Sequence, residues 1–327
     1  MIRFTQRFFA IFILSFLGLC IGACSWGNIG SKNDKEVHIA IQPSAAFVPL
    51  YIAKEKGWIE EALKEYNIEV VWQEFESGPP MTDSLLAGDS DIGVIGDVPT
   101  VTVCAPGNNV SVIAIAAQAA DSYAILVPFA SKLHNASDLK GKKVATTYGS
   151  TAHNMIEKYL NTAGLSISDI ELVNTTVGDT QAILEKGLVD AISIWEPNVT
   201  RLAGTGDIRI LASGSECGLA GTNAIVALDK YGKNHPEVVT AILAQYKRAV
   251  DEIPKMDAAT LTALADELKV TPNQMKRIIS KFKYTLTITD EDIDALNDTI
   301  CFLNDNKIFR KNYDISESVD RSFYKED

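Results

Sequence analysis

Leu86-Ala-Gly-Asp-Ser-Asp-Ile-Gly-Val-Ile-Gly-Asp-Val-Pro99 decides the architecture of this chain. Its centre, Asp91–Gly96, is an apolar run too short for a helix and bounded by turn residues, which is the signature of a buried strand. Gly96-Asp97-Val98-Pro99 then forces a sharp turn. Working outward, the same plan repeats. On the N-terminal side lie the strands Val37–Gln42 and Ile68–Phe75. Between them Phe47–Lys56 and Ile59–Tyr66 read as helices broken at Gly57, and Pro80–Ala87 as a third helix. On the C-terminal side Val110–Gln118 and Tyr123–Val127 are strands. A second series follows: strand Lys143–Thr146, helix Ser150–Ala163, strand Ile170–Asn174, helix Asp179–Lys186 and strand Ala191–Trp195. Arg209–Ala212 and Asn223–Leu228 are further strands. Alternation of this kind predicts an α/β fold with mainly parallel strands.

From Pro236 onward the pattern is helical, over Pro236–Glu252, Asp257–Glu267, Pro272–Lys281 and Asp290–Asn304. Pro236 and Pro272 stand where the first turn of a helix tolerates a missing N–H. The expectation is two α/β lobes with a cleft between them and a C-terminal helical segment.

Composition narrows the function. The chain has 327 residues, 46% of them hydrophobic and 22% charged, so disorder and multi-span membrane architectures are excluded. With 42 acidic against 30 basic residues the formal charge is −12, which repels phosphate backbones and excludes nucleic acid as a partner. Phosphate-loop, serine-hydrolase and zincin motifs are all missing. Cys104, Cys217 and Cys301 follow no metal-ligand spacing, so they read as buried free thiols, with no disulfide framework, metal site or cofactor implied.

The N-terminus carries a different signal. Arg3 and Arg7 precede an apolar stretch from Phe8 to Ala23, the pattern of an export signal. A plain transmembrane anchor is the alternative, for which the stretch is at the short end. It closes on Ile21-Gly22-Ala23-Cys24, which resembles the lipobox of bacterial lipoproteins, with Cys24 as the lipidated residue. Cys20 fits worse because Leu19 precedes it. Residues 1–23 are then a signal peptide and 24–36 a lipidated cysteine on a polar tether.

Ligands of open α/β sheets bind beyond the carboxyl ends of strands, where turns enter helices. Three turns qualify: Ser77-Gly78-Pro79-Pro80, Gly96-Asp97-Val98-Pro99 and Gly149-Ser150-Thr151-Ala152-His153. Each joins a glycine to a small polar residue or a helix start, where free N–H groups and the helix dipole attract anions. None contains Lys or Arg, which favours a compact oxyanion over a polyphosphate. The hydroxyls of Ser77, Ser150 and Thr151 are candidate extra donors. Gln42 ends the first strand with a neutral amide, and Asn223 offers another. Trp195-Glu196 ends a fourth strand, pairing an aromatic with a carboxylate, and His153 lies one turn into its helix.

These turns, in this order, resemble the nitrate/sulfonate/taurine family of ABC-transporter substrate-binding proteins, most closely its aliphatic sulfonate-binding branch. Trp72–Pro80, Leu86–Pro99, Asp138–Ala145, Gly149–His153, Val189–Pro197 and His235–Val238 carry the likeness. The resemblance implies a two-lobed, type II periplasmic-binding-protein-like fold, with 37–124 and 224–327 in lobe 1 and 125–223 in lobe 2. The chain would cross between lobes near Tyr123–Val127 and return near Asn223–Leu228. It implies a monomeric, lipid-anchored receptor without catalysis, serving an ABC permease and its ATPase subunits from the outer side of the cell membrane. By position, sulfonate oxygens would meet Ser77, Gly78, Ser150 and Thr151. Gln42, Asp97, His153, Trp195, Glu196 and Asn223 would surround the rest. Asp97 and Glu196 suit the amine of a taurine-like zwitterion or a wet cleft wall, so alkanesulfonate, taurine, nitrate and a thiamine-precursor pyrimidine all stay open. A pyrimidine-synthesising enzyme of the thiamine pathway is the reading of another class, and it lacks the clustered cysteines that chemistry uses. Replacing Cys24 with serine is expected to abolish incorporation of labelled palmitate in a bacterial host, and full labelling of the variant would remove the lipobox reading.

Overall fold

The first strand, β1 (Glu36–Ile41), turns through Gln42-Pro43-Ser44 into α1 (Val48–Glu55) and α2 (Trp58–Leu63). Then come β2 (Glu69–Glu74), α3 (Gly78–Ala87), β3 (Ile92–Gly96), α4 (Asp97–Val103) and β4 (Val110–Gln118). The second series is β5 (Tyr123–Pro128), β6 (Lys143–Thr146), α5 (Thr151–Asn161), β7 (Glu171–Asn174), α6 (Thr180–Glu185), β8 (Ala191–Trp195), α7 (Asn198–Ala203) and β9 (Ile208–Ser213). β10 (Thr222–Leu228) leads to α8 (Asp229–Asn234), α9 (Pro236–Glu252), α10 (Ala258–Glu267), α11 (Pro272–Ile279), β11 (Lys283–Tyr284) and α12 (Asp290–Asp305). This computed structural model describes residues 34–309 and 311–325. The expected signal peptide, Cys24 and the tether up to residue 33 lie outside the described residues. Among the described residues no helix is long and apolar enough to cross a membrane.

Two sheets organise these elements, in the orders β11-β4-β10-β3-β1-β2 and β7-β6-β8-β5-β9. Both are mixed, which corrects the expectation of mainly parallel strands. β1 pairs in parallel with β2 and β3, and β6 with β7 and β8, across helical crossovers. β5 and β10 pair only antiparallel with their neighbours. They receive the chain directly from the other sheet, without the helical crossover that a parallel pair needs. The chain leaves the first sheet after Gln118 and enters the second at Tyr123. It leaves the second after Ser213 and re-enters the first at Thr222. The crossings are thus the segments 119–122 and 214–221, ahead of the strands named from the sequence.

Each sheet has its own core. The first packs Ile39, Phe47, Ile52, Leu85, Ile95 and Tyr246, and the second Leu126, Val144, Met155, Ile192 and Leu202. A stitch recurs in both. α3 ends on Gly88 and α6 on Gly187, at φ 79° and 66°, a left-handed backbone that suits glycine. A few residues on, Asp91 accepts the N–H of His38 in β1 (2.8 Å), and Asp190 accepts that of Lys143 in β6 (2.9 Å). Each carboxylate thereby fixes the strand beside it.

The sequence reading missed α4, α7, α8 and β11. Pro99 made the α4 segment look like a turn, yet the first turn of a helix has N–H groups to spare, and a proline there is tolerated. The thiols also differ from expectation: Cys104 is buried, Cys217 half-buried and Cys301 exposed. Cys301 lies on the solvent side of α12, where its helical neighbours Ile300 and Phe302 take the buried positions.

Candidate functional site

The carboxyl ends of the strands in both lobes converge on one small void. Gln42, Gly78, Ser150, Thr151, Trp195 and Asn223 line it, six of the residues singled out from the sequence. Ser44, Gly96, Pro99 and Tyr123 complete the wall. Of these lining residues Tyr123 alone has a titratable side chain, and burial pushes its phenol well up. A wider groove shares Gln42, but its lining carries three carboxylates, Glu74, Asp266 and Glu267, against one lysine, Lys269, which disfavours anions.

Two helix starts supply the void's donors. α3 begins at Gly78 from lobe 1 and α5 at Thr151 from lobe 2, both long enough for their dipoles to attract an anion. Pro79 and Pro80 have no N–H, so the α3 start offers only the Gly78 amide in its first three residues. In α5 the N–H groups of His153 and Asn154 turn back to the Ser150 carbonyl, leaving those of Thr151 and Ala152 without a helical acceptor. The two turns nearly touch, with the ideal Cβ position of Gly149 standing 3.7 Å from Pro79 Cγ. Gly96 permits a second approach, because a methyl group there would overlap Thr151 Oγ1.

The expected hydroxyl donors are largely engaged elsewhere. Ser150 donates to the Thr147 carbonyl (2.7 Å), and the Thr151 hydroxyl stands beside the polar groups of Asp97 and Tyr123. Ser77 is buried at the N-cap of α3, next to the void but outside its lining, and its side chain does not cap the helix. Asn223 donates to the Gly221 carbonyl (3.0 Å). Gln42 differs: it is 7% exposed and its Oε1 is buried without a partner. A buried amide of this kind needs an external partner, and a half-turn of the group puts nitrogen where oxygen stands.

Besides Ser77, three further candidates from the sequence are not on the lining. Asp97 is buried, and its carboxylate meets the N–H of Val98 (2.6 Å), Asn154 Nδ2 (3.2 Å) and Thr299 Oγ1 (3.2 Å). Burial pushes its carboxyl up, opposed by those bonds and by Thr151. It occupies the start of α4, so the third turn has its positive end filled by its own side chain. Glu196 is 0% exposed and holds the N–H and hydroxyl of Thr200 (2.9 and 2.7 Å) and Lys281 Nζ (2.6 Å). His153 stacks on Tyr148 at 5.3 Å between ring centroids and meets the edge of Phe302 at 5.7 Å. Its Nδ1 accepts the N–H of Gly149 (3.4 Å). Burial lowers its pKa from 6.5 to about 4. Among the described residues no cluster of three or more His, Cys, Asp or Glu is arranged to hold a metal ion.

Comparison with known proteins fits this geometry. The family model described as NMT1/THI5 like matches residues 44–260. The chain belongs to the NMT1/THI5-like family. Within it, the chain is 31% identical over 320 residues to a Bacillus subtilis (strain 168) protein named for aliphatic sulfonate binding, covering 96% of this chain and 95% of that one. A taurine-binding periplasmic protein of Escherichia coli (strain K12) is 28% identical over 191 residues, 58% of each chain. The alkanesulfonate-binding protein SsuA from Xanthomonas axonopodis pv. citri, solved bound to MOPS, superposes with a TM-score of 0.81 at 25% identity. That match covers 89% of this chain and all (100%) of SsuA. The fold of this NMT1/THI5-like chain is therefore the two-lobed periplasmic-binding-protein-like one.

Sequence reasoning missed Ser44 and Tyr123 as wall residues, and had Gly96 and Pro99 only as parts of a candidate turn. Ser44 had a signal, since Gln42-Pro43-Ser44 is one more turn from a strand end into a helix, here a 3-10 turn at Ala45–Phe47. Tyr123 had none, because only the second crossing back to β10 brings it beside Asn223. Two predictions follow from the packing. Gly96→Ala is expected to lower ligand affinity without unfolding the protein, measured by calorimetry and circular dichroism, because the methyl group collides with Thr151 when the lobes meet. His153 stays neutral in the fold, so its stabilising share is complete above pH 6.5 and declines as pH falls towards 4. NMR titration of its ring protons should give a midpoint near 4, and a midpoint near 6.5 would contradict its burial.

Proposed function

We propose that this chain is the extracytoplasmic solute-binding lipoprotein of an ABC importer, which captures an alkanesulfonate or similar small organic anion between its lobes and delivers it to a membrane permease. The observation that carries the reading is the convergence of two helix starts, α3 and α5, on a small void with no carboxylate and no basic side chain on its wall. Neutral N–H donors and helix dipoles hold a compact oxyanion, and Trp195 offers an apolar face to its carbon tail. The names of the relatives support the same ligand class.

The fate of the two carboxylates argues against taurine. An ammonium in the cleft would need an acidic partner, and Asp97 and Glu196 already have theirs. Binding is favoured over catalysis by the lining itself, which presents no Cys, His, Lys, Asp or Glu. Lipid anchoring through Cys24, the position of the protein outside the membrane and a monomeric state belong to the same proposal. So does closure: contacts made only when both lobes meet the ligand shift the population to the closed form, which the permease reads.

Isothermal titration calorimetry on the soluble domain, stripped of ligand by refolding, tests this with ethanesulfonate, taurine, nitrate and a thiamine-precursor pyrimidine. Ethanesulfonate is expected to bind and taurine to bind more weakly. Gln42→Leu should weaken ethanesulfonate binding by about tenfold, the scale of one hydrogen bond to a charged group. Taurine binding more tightly, or no member of the panel binding to folded protein, would overturn the ligand assignment.

A further inference from the structure

Residue 196 is held on every side. Its carboxylate is fully buried at the end of β8, and its N–H donates to the Ser122 carbonyl (2.8 Å) in the first crossing. Its carbonyl accepts the N–H of Ala45 (3.4 Å) from lobe 1. Its neighbour Trp195 and Ala45's neighbour Ser44 are both walls of the ligand void. A carboxylate removed from water this completely needs a counter-charge as well as hydrogen bonds. The cation comes from far along the chain: Lys281 Nζ stands 2.6 Å from Glu196 Oε1 and is part-exposed.

Lys281 belongs to the link between α11 and β11, beyond the residues 44–260 that the family model matches. Three residues on, Tyr284 donates its hydroxyl to the Ala45 carbonyl (2.7 Å). This short C-terminal stretch therefore grips the neighbours of two wall residues, one from each lobe: Glu196, beside Trp195, through Lys281, and Ala45, beside Ser44, through Tyr284. A second charged group near Lys281 is Asp121, in the crossing itself.

We propose that Lys281 is a positioning residue for the ligand site: its ammonium compensates the buried Glu196 and so fixes Trp195 against the cleft. Its effect on affinity rests on the sulfonate reading above, whereas its effect on Trp195 does not. The test uses Lys281→Met, Lys281→Arg and the double variant Glu196→Gln with Lys281→Met, in the soluble domain. The indole N–H resonance of Trp195 is assigned by its loss in Trp195→Phe, and ethanesulfonate affinity is measured alongside. Lys281→Met is expected to shift that resonance and weaken binding by about tenfold, and Lys281→Arg to restore both. The double variant, which leaves no uncompensated carboxylate, should lie nearer wild type than Lys281→Met. A lowered melting temperature with resonance and affinity unchanged would make the pair merely structural and overturn the proposal. If Lys281→Met does not fold, the double variant decides: a folded double with the wild-type resonance supports compensation, and one with a displaced resonance contradicts it. Wild type that binds no sulfonate removes the ligand reading alone, since the resonance arm still reports on Lys281.

Discussion

Two carboxylates, Asp97 and Glu196, are buried where the lobes meet, and the rest of the site depends on how each is satisfied. An uncompensated carboxylate in that position would cost several kcal/mol. Asp97 is surrounded by donors from α4, α5 and α12, and Glu196 by Thr200 and Lys281. Each acid thus binds one lobe to the other, and each is withdrawn from the void between them. What remains on the wall is neutral.

In the proposed function that neutrality is the source of selectivity. An anion entering it meets no repelling carboxylate and no lysine or arginine that would favour a multiply charged phosphate. The proposed donors are the Gly78 amide at the start of α3 and the Thr151 and Ala152 amides at the start of α5, held rigid by the helices behind them, so that little reorganisation would be needed on binding. Because one start belongs to each lobe, a ligand held between them would complete a contact that neither lobe makes alone. Gly96 keeps that approach close enough to matter.

Much of this was legible in the residues. Short apolar runs ending in Gly78, Gly96 and Gly149 turns located the strand ends, and the paired βα series gave two lobes. Six candidates, from Gln42 to Asn223, share the void. The errors have a common source. Asp97, His153 and Glu196 stand beside wall residues in sequence, yet their partners Thr299, Phe302 and Lys281 lie more than eighty positions away. Local pattern can show that a side chain is polar and near a cleft, but not which distant group has already claimed it.

The sequence by itself determined the alternation of strands and helices, the acidic balance, the export signal pattern and the turns that present backbone amides, since all depend on neighbours within a few residues. Tertiary structure alone decided that both sheets are mixed, that Tyr123 joins the wall, and that two acids are withdrawn into the junction. Those outcomes depend on strand order and on the return of the C-terminal segment. Burial is a property of what packs on a residue, and here that packing arrives from the far end of the chain.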